Sequence, residues 1–284
     1  MRSLIISILV FSIGITSNLM AQENTETTSP WVRTMVGTLN LTQNSFDNWT
    51  QGGEDSWAWL VDINGTMTRT TSGGSWASNG KLAYGESKIG DEDARKAADE
   101  LRLETVYNWN LGMLVNPYVA ATARTQLTEG YQYSDEGIDT VSNFLDPGYF
   151  TQSFGLGYSP NEHLKTRLGA AVKETIASDF DYLYTDDPET DDEIEDNKVE
   201  YGAESVTNIT MPLNDIILFT SKLEMFSDLN RIDEVDVNWD NLFSAQIAKF
   251  LAVNLNVQLY YDKDISIKRQ LKQTLSVGLT YTFI

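Results

Sequence analysis

From Leu251 to Tyr261 the residues alternate without a break. Leu251, Val253, Leu255, Val257, Leu259 and Tyr261 fall on one side, and Ala252, Asn254, Asn256, Gln258 and Tyr260 on the other. A period of two is the signature of a strand with one apolar face and one polar or small face. The same rhythm runs through Leu275–Phe283, Leu164–Val172, Trp57–Met67 and Phe150–Tyr158. It predicts twelve strands near 32–41, 56–70, 74–88, 99–110, 114–127, 149–159, 163–177, 198–211, 215–228, 234–248, 251–262 and 270–283. Most of these run for ten to fifteen residues. Strands of globular proteins average roughly five or six, whereas a tilted strand that crosses a bilayer needs about 9–11.

The connections alternate in length. Long ones fall at 42–55, 89–98, 128–148, 178–197, 229–233 and 263–269, and short ones near Thr71–Gly73, Leu111–Met113, Pro160–Glu162, Pro212–Asn214 and Phe250. Short turns on one rim and long loops on the other are the habit of outer-membrane barrels, which also use an even strand number. In hydrocarbon every backbone group needs a partner, so such a sheet must close on itself. The fold expected is therefore all-β: a closed antiparallel transmembrane β-barrel of twelve strands, with short periplasmic turns and long extracellular loops. The ending Thr280-Tyr281-Thr282-Phe283-Ile284 resembles the C-terminal sorting signal of bacterial outer-membrane proteins, with Ile284 following the aromatic residue.

The first residues read as an export signal. Arg2 precedes an apolar run from Leu4 to Ile15, and Ala21 offers a small residue for cleavage before Gln22. That run is about 12 residues, short of the roughly 20 of a spanning helix. The expected organisation is a signal peptide over 1–21, a flexible lead-in over 22–30 and the barrel over 31–284. Export through the signal peptide, residence in the bacterial outer membrane, contact with its lipid and handling by the barrel assembly machinery follow as expectations.

Composition narrows the chemistry. The chain has 284 residues, no Cys, one His and a net charge of −21. Without Cys there are no disulfides, thiolate metal sites or Cys nucleophile. A single His excludes His-pair zinc motifs, and the negative charge argues against nucleic acid. Alternation assigns a set of charges to the lumen: Asp62, Lys81, Arg102, Glu104, Arg124, Lys165, Arg167, Lys173, Glu200, Glu204, Lys222, Glu224, Asp236 and Asp240. On the lipid face a midplane Lys or Arg would cost about 2–4 kcal/mol. Acids and bases balance in this set. It reads first as salt-bridge networks across the lumen, and alternatively as a permeation path lined by both signs. Trp57, Trp59, Trp76, Tyr84, Tyr107, Trp109, Tyr158, Tyr201, Trp239, Tyr261, Tyr281 and Phe283 fall on the outward face, mostly near strand ends, where aromatic rings suit headgroups.

The surplus of acid then belongs to loops, above all Asp179–Asp196. Asp187, Asp191 and Asp192 are weak Ca²⁺ candidates there, because no Gly interrupts the acidic run as an EF-hand requires. A solvated, self-repelling loop is the simpler reading. No cofactor is expected.

The first long connection holds Asn40, Leu41, Gln43, Phe46, Asn48, Trp49, Gly52, Gly53 and Ser56 in the pattern N-L-x-Q, F-x-N-W, G-G-x-x-S. This resembles the N-terminal signature of the domain-of-unknown-function 3078 family (DUF3078) of Bacteroidota and related bacteria. The resemblance implies an outer-membrane barrel over most of the mature chain and carries no activity. In physical terms, Gly52-Gly53 supplies a turn. Phe46 and Trp49 suit a hydrophobic plug at the barrel mouth, or, in the case of Trp49 and Asn48, a sugar-stacking surface.

Catalytic signals are weak. An acyl hydrolase needs Ser, His and an orienting group, yet His163 falls in a predicted turn and no G-x-S-x-G elbow occurs. The chain is read as a non-enzyme: a narrow channel or binding barrel for small solutes. The alternative is a structural or adhesive surface protein acting through acidic loops. A lipid-modifying enzyme ranks last.

Overall fold

In the computed structural model the described residues are 31–46, 53–134, 137–186, 194–232, 234–263 and 266–283. The predicted signal peptide and lead-in lie outside them. The strands are β1 Val32–Asn44, β2 Ser56–Thr70, β3 Gly74–Ile89, β4 Arg95–Trp109, β5 Val115–Thr125, β6 Gly130–Ser134, β7 Gly137–Ser142, β8 Gly148–Tyr158, β9 Leu164–Ile176, β10 Asn197–Pro212, β11 Ile217–Asp228, β12 Val235–Ala248, β13 Leu251–Asp262 and β14 Ser266–Thr282. One short helix, α1, covers Asp181–Tyr184.

Twelve strands close into one barrel in the order β1-β14-β13-β12-β11-β10-β9-β8-β5-β4-β3-β2, each antiparallel to its neighbours. Sequence neighbours pair throughout, and the β6–β7 hairpin stands apart between β5 and β8. The long connections gather on one rim and the short turns on the other. Three connections are shorter than alternation suggested: β1 runs on to Asn44, inside the stretch read as loop at 42–55, and two others give up residues to the strands that follow them. Residues read as loop at 89–98 join β4, where Lys96 pairs with Glu86 and Arg95 with Ser87. Those read as loop at 263–269 join β14, where Ser266 pairs with Asp262. Both stretches are rich in charge and carry no run of alternating large apolar residues, so the rhythm that marks a lipid-facing strand stops before the hydrogen-bonded ladder does. The β6–β7 hairpin and α1 lie inside connections read only as loop, since their short segments lack a long apolar face.

The register sets the two faces. Val61 pairs with Leu39 and Tyr84, all facing out, while Asp62 pairs with Thr38 and Ala83, all facing in. On β2 the outward residues from Trp59 to Arg69 are Val61, Ile63, Gly65 and Met67 between the two ends. Roughly ten residues at about 3.3 Å each, tilted about 40°, give a band of about 25 Å, the height of an outer-membrane barrel's apolar belt. Aromatic rings crowd the turn rim of this band. Trp31 meets Trp76 at 6.0 Å, Trp76 meets Tyr107 at 6.4 Å and Tyr107 meets Trp109 at 4.9 Å. Tyr281 lies 5.0 Å from Phe283 and 6.4 Å from Phe250. At the loop rim Trp59 and Tyr84 sit 5.6 Å apart.

The barrel has no oily core. Its interior is polar, and the few large side chains buried within it sit beside glycines. Tyr118 points inward from β5 and is 1% exposed. It faces the inward cross-strand pair Gly155 and Gly169, where a side chain on Gly169 would meet the Tyr118 hydroxyl at 2.7 Å.

Candidate functional site: the charged lumen and its pocket

Pairing register carries all fourteen of the charges assigned to the lumen onto the inward face. At mid-height they bind one another across the lumen. Arg102 on β4 holds Glu224 on β11 through both guanidinium branches, one at 2.7 Å, although β5, β8, β9 and β10 separate these strands around the wall. Lys222 on β11 donates to Glu104 on β4 and lies 3.3 Å from Glu224. Arg167 on β9 reaches Glu104 at 2.8 Å and Glu204 at 3.6 Å, and its guanidinium lies 5.7 Å from the Tyr118 ring centre. Ser153 donates to Glu204 at 2.5 Å, and Asn238 to Glu224 at 3.0 Å.

A second group links the β3 side to β12. Lys81 is 2.8 Å from Glu100 and 3.6 Å from Asp240. Asn64 donates to Asp62, and Asn256 donates to Asp240 at 2.5 Å. A third group sits nearer the loop rim. Lys173 lies 2.6 Å from Asp236, 3.2 Å from Glu200 and 3.8 Å from Asp262, and the Tyr260 hydroxyl donates to Asp262 at 3.2 Å. Charges this far from bulk water need partners, and each carboxylate in these groups has one. Among the described residues Arg124, Lys165 and Lys272 form no ion pair, though Lys272 donates to the Ala97 carbonyl at 2.9 Å.

Above the mid-height lattice, toward the loop rim, lies a cavity of about 110 Å³. Arg102, Glu204 and Glu224 border it from the lattice side; Arg124, Tyr149, Lys173, Phe226, Asp236, Tyr260 and Asp262 also line it. The Arg124 guanidinium stands 4.8 Å from the Tyr149 ring centre and 5.4 Å from that of Tyr260. Sequence reading singled out Arg124 but passed over Tyr149, Tyr260, Glu100 and Asp262. Parity was the available signal. Tyr149 shares its face with Thr151 and Ser153, and Tyr260 its face with Gln258, so both rings turn away from the apolar side.

Two loops meet at the rim beside this pocket. Both oxygens of the Asp146 carboxylate accept backbone N–H groups, from Ser178 at 3.0 Å and Asp179 at 2.8 Å, and Tyr184 of α1 donates to the Val141 carbonyl at 3.0 Å. These bonds join the connection after β5 to the connection after β9.

In the family motif, Asn40 is inward and buried, pairing with Leu60 on β2. Gln43 pairs with Trp57, and Phe46 lies at the loop rim, 40% exposed. The Phe46 ring rests against Gly53, whose φ is 138° and where an added Cβ would come within 2.7 Å of it. The Phe46 N–H donates to Asp55 at 2.7 Å, and Asn44 donates to Ser56 at 2.9 Å. Asn48, Trp49 and Gly52 lie outside the described residues, as do the calcium candidates Asp187, Asp191 and Asp192. His163 sits in a turn with its Nδ1 3.0 Å from the Thr210 carbonyl oxygen and its Nε2 3.8 Å from Glu162.

Solved structures similar to this chain are barrels. The porin NanC matches with a TM-score of 0.40 and 8% identity over 87% of this chain and 98% of that one. An outer membrane channel from Pseudomonas putida F1 matches with a TM-score of 0.39 and 10% identity over 92% and 99%. The translocator domain of the autotransporter NalP from Neisseria meningitidis matches with a TM-score of 0.37 and 11% identity over 91% and 90%. No curated protein matches the chain. The stretch 41–131 matches the model of the family described as "Protein of unknown function (DUF3078)", the family that the Asn40–Ser56 motif resembles.

Proposed function

We propose that this chain is an integral outer-membrane barrel whose lumen takes up small solutes from the long-loop side and is closed at mid-height by its ion pairs. One observation carries the reading: a cavity lined by charged and aromatic side chains inside a closed barrel borders ion pairs that reach from wall to wall. The apolar band and its aromatic rims support placement in lipid, because a closed ladder satisfies its backbone groups while its outward side chains meet hydrocarbon. A twelve-stranded wall encloses a lumen narrower than that of a 16–18-stranded porin, so a few charged side chains suffice to block it. Passage then requires Arg102 to part from Glu224 and Lys222 from Glu104.

Conductance across planar bilayers tests this. The native barrel is expected to show small or brief currents, and the Arg102→Ala/Glu224→Ala double variant larger and longer ones. Large steady currents from the native protein, unchanged in the double variant, would overturn the gate.

A second reading, a surface protein acting through its loops, draws on the bonds that Asp146 and Tyr184 make between two long connections. It predicts that deleting the β6–β7 hairpin abolishes cell-surface attachment and leaves conductance as it was.

A further inference from the structure

Among the described cations that line the luminal cavity, Arg124 alone forms no ion pair, and its chemistry indicates what would fill the space beside it. Every carboxylate on the wall has a cation or hydrogen-bond donor. Glu224 has Arg102 and Lys222; Glu204 has Arg167 and Ser153; Asp236 has Lys173; Asp262 has Lys173 and Tyr260. Two of the three cations on the wall, Arg102 and Lys173, are consumed in those pairs. Arg124 forms no ion pair among the described residues. It also sits directly across the strand pair from Arg102, a like-charge juxtaposition that Glu224 relieves on the Arg102 side only, since its carboxylate is held by Arg102.

We propose that Arg124 is the anchor of a binding site for a small organic monocarboxylate, an inference that rests on the reading of a lumen open from the long-loop side. Three features select that class. The guanidinium fork matches a planar carboxylate with two parallel hydrogen bonds. A dianion such as phosphate would bring a second negative charge among Asp236, Asp262 and Glu224, with no cation left to meet it. The rings of Tyr149 and Tyr260 flank the guanidinium at 4.8 and 5.4 Å, and Phe226 completes an aromatic wall for a flat apolar body. The hydroxyls of Thr122 and Thr151, a cross-strand pair on the same wall, add neutral hydrogen-bonding capacity.

The probe is benzoate, titrated calorimetrically into the full chain refolded in detergent. Benzamide, of the same shape but uncharged, and inorganic phosphate serve as comparisons. Saturable benzoate binding is expected, at least tenfold tighter than benzamide and not displaced by phosphate. Arg124→Gln should weaken it at least tenfold. Arg124→Lys, which keeps the charge and loses the fork, should weaken it several-fold, and it decides the matter if the Gln variant fails to fold. Equal binding of benzoate and benzamide, tighter binding of phosphate, or full benzoate affinity in the Arg124 variants would each overturn the site. If benzoate does not bind while the Arg102→Ala/Glu224→Ala variant still opens the barrel, the carboxylate site falls and the gated lumen stands. If neither effect is seen, both fall.

Discussion

The lumen contains two regions built from the same residue types and held differently. At mid-height, Arg102, Glu104, Arg167, Lys222 and Glu224 interlock so that each charge meets at least one opposite charge. Nearer the loop rim, Arg124 faces a cavity with tyrosine rings beside it and no carboxylate in contact. Counting charges does not separate these regions, because both are mixed in sign. Matching does. A network of ion pairs resists change and closes a path, whereas a cation without an ion-pair partner beside empty space is available to a solute. The contrast is therefore one of ion-paired against unpaired cations, and it is measurable.

The largest difference expected is in stability. Glu104→Ala removes a carboxylate shared by Arg167 and Lys222 and leaves two cations facing a poorly hydrated interior. Breaking such a pair costs about 3–5 kcal/mol. Arg124→Ala removes a charge with no ion-pair partner and should change stability by less than about 1 kcal/mol. Urea unfolding of the two variants in detergent micelles provides the comparison. If Arg124→Ala proves as damaging as Glu104→Ala, Arg124 belongs to the lattice and the distinction collapses.

The next effect tests what supports the lattice from below. Arg167 lies over the Tyr118 ring, and Tyr118 fits over Gly155 and Gly169 on the neighbouring inward faces. A Cβ on Gly169 would collide with the Phe154 carbonyl and crowd the Tyr118 hydroxyl. Gly169→Ala should cost about 1–3 kcal/mol through overpacking. Gly80, which faces outward and would bring a Cβ no nearer than 3.5 Å to Leu103, should accept Ala with little change. Equal tolerance at the two glycines in the same unfolding assay would show that Tyr118 does not brace the lattice.

The alternation that made the fold legible explains why the site was less so. Parity is local: Leu251 through Tyr261 state their faces without reference to any other strand, and Lys81 or Glu104 falls inward by the same rule. Pairing is not local. Arg102 and Glu224 are 122 positions apart, and nothing in either strand specifies the other as its partner. Closure order and register had to be known before the lattice could be told from the pocket. Tyr149 and Tyr260 were legible in principle. Tyr260 already falls on the polar side of its strand with Gln258, and Tyr149 shares a face with Thr151 and Ser153, but the lumen was read through its charged residues alone. The β6–β7 hairpin was illegible for another reason: five- and six-residue strands at a solvated rim bury no long apolar face.

A smaller effect concerns the seam that closes the barrel around both regions. β1 and β14 share five registered positions, Val36–Asn40 against Gly278–Thr282, whereas β1 and β2 share thirteen, Val32–Asn44 against Ser56–Thr68. Above Gly278, β14 keeps its ladder to β13 and has no registered partner on β1. Backbone amides of Leu271–Val277 that face the seam should therefore exchange with solvent deuterium faster than those of Val253–Leu259 on β13, which is paired on both sides. Equal protection would mean that the seam closes along its full height and that the lattice sits in a uniformly sealed wall.

The smallest effect expected lies at the loop rim, in the family motif, and tests whether that rim contributes to the pocket or only to the fold. Asp55 accepts the Phe46 N–H at 2.7 Å, and its own carbonyl accepts the Gly90 N–H at 2.7 Å, so it ties the β1–β2 connection to the β3–β4 connection. Asp55→Ala removes only the side-chain bond, at an exposed position where water replaces much of the loss, so the cost should be about 0.5–1.5 kcal/mol. The motif lies on the β1–β3 side of the rim, while the cavity is lined from β4, β5 and β8 to β13. Benzoate affinity should consequently stay within twofold of native in Asp55→Ala even as the unfolding midpoint falls. A drop in affinity matching that of Arg124→Gln would instead make the Asn40–Ser56 loop part of the binding region, and the boundary between lattice and pocket would have to be redrawn to include the rim.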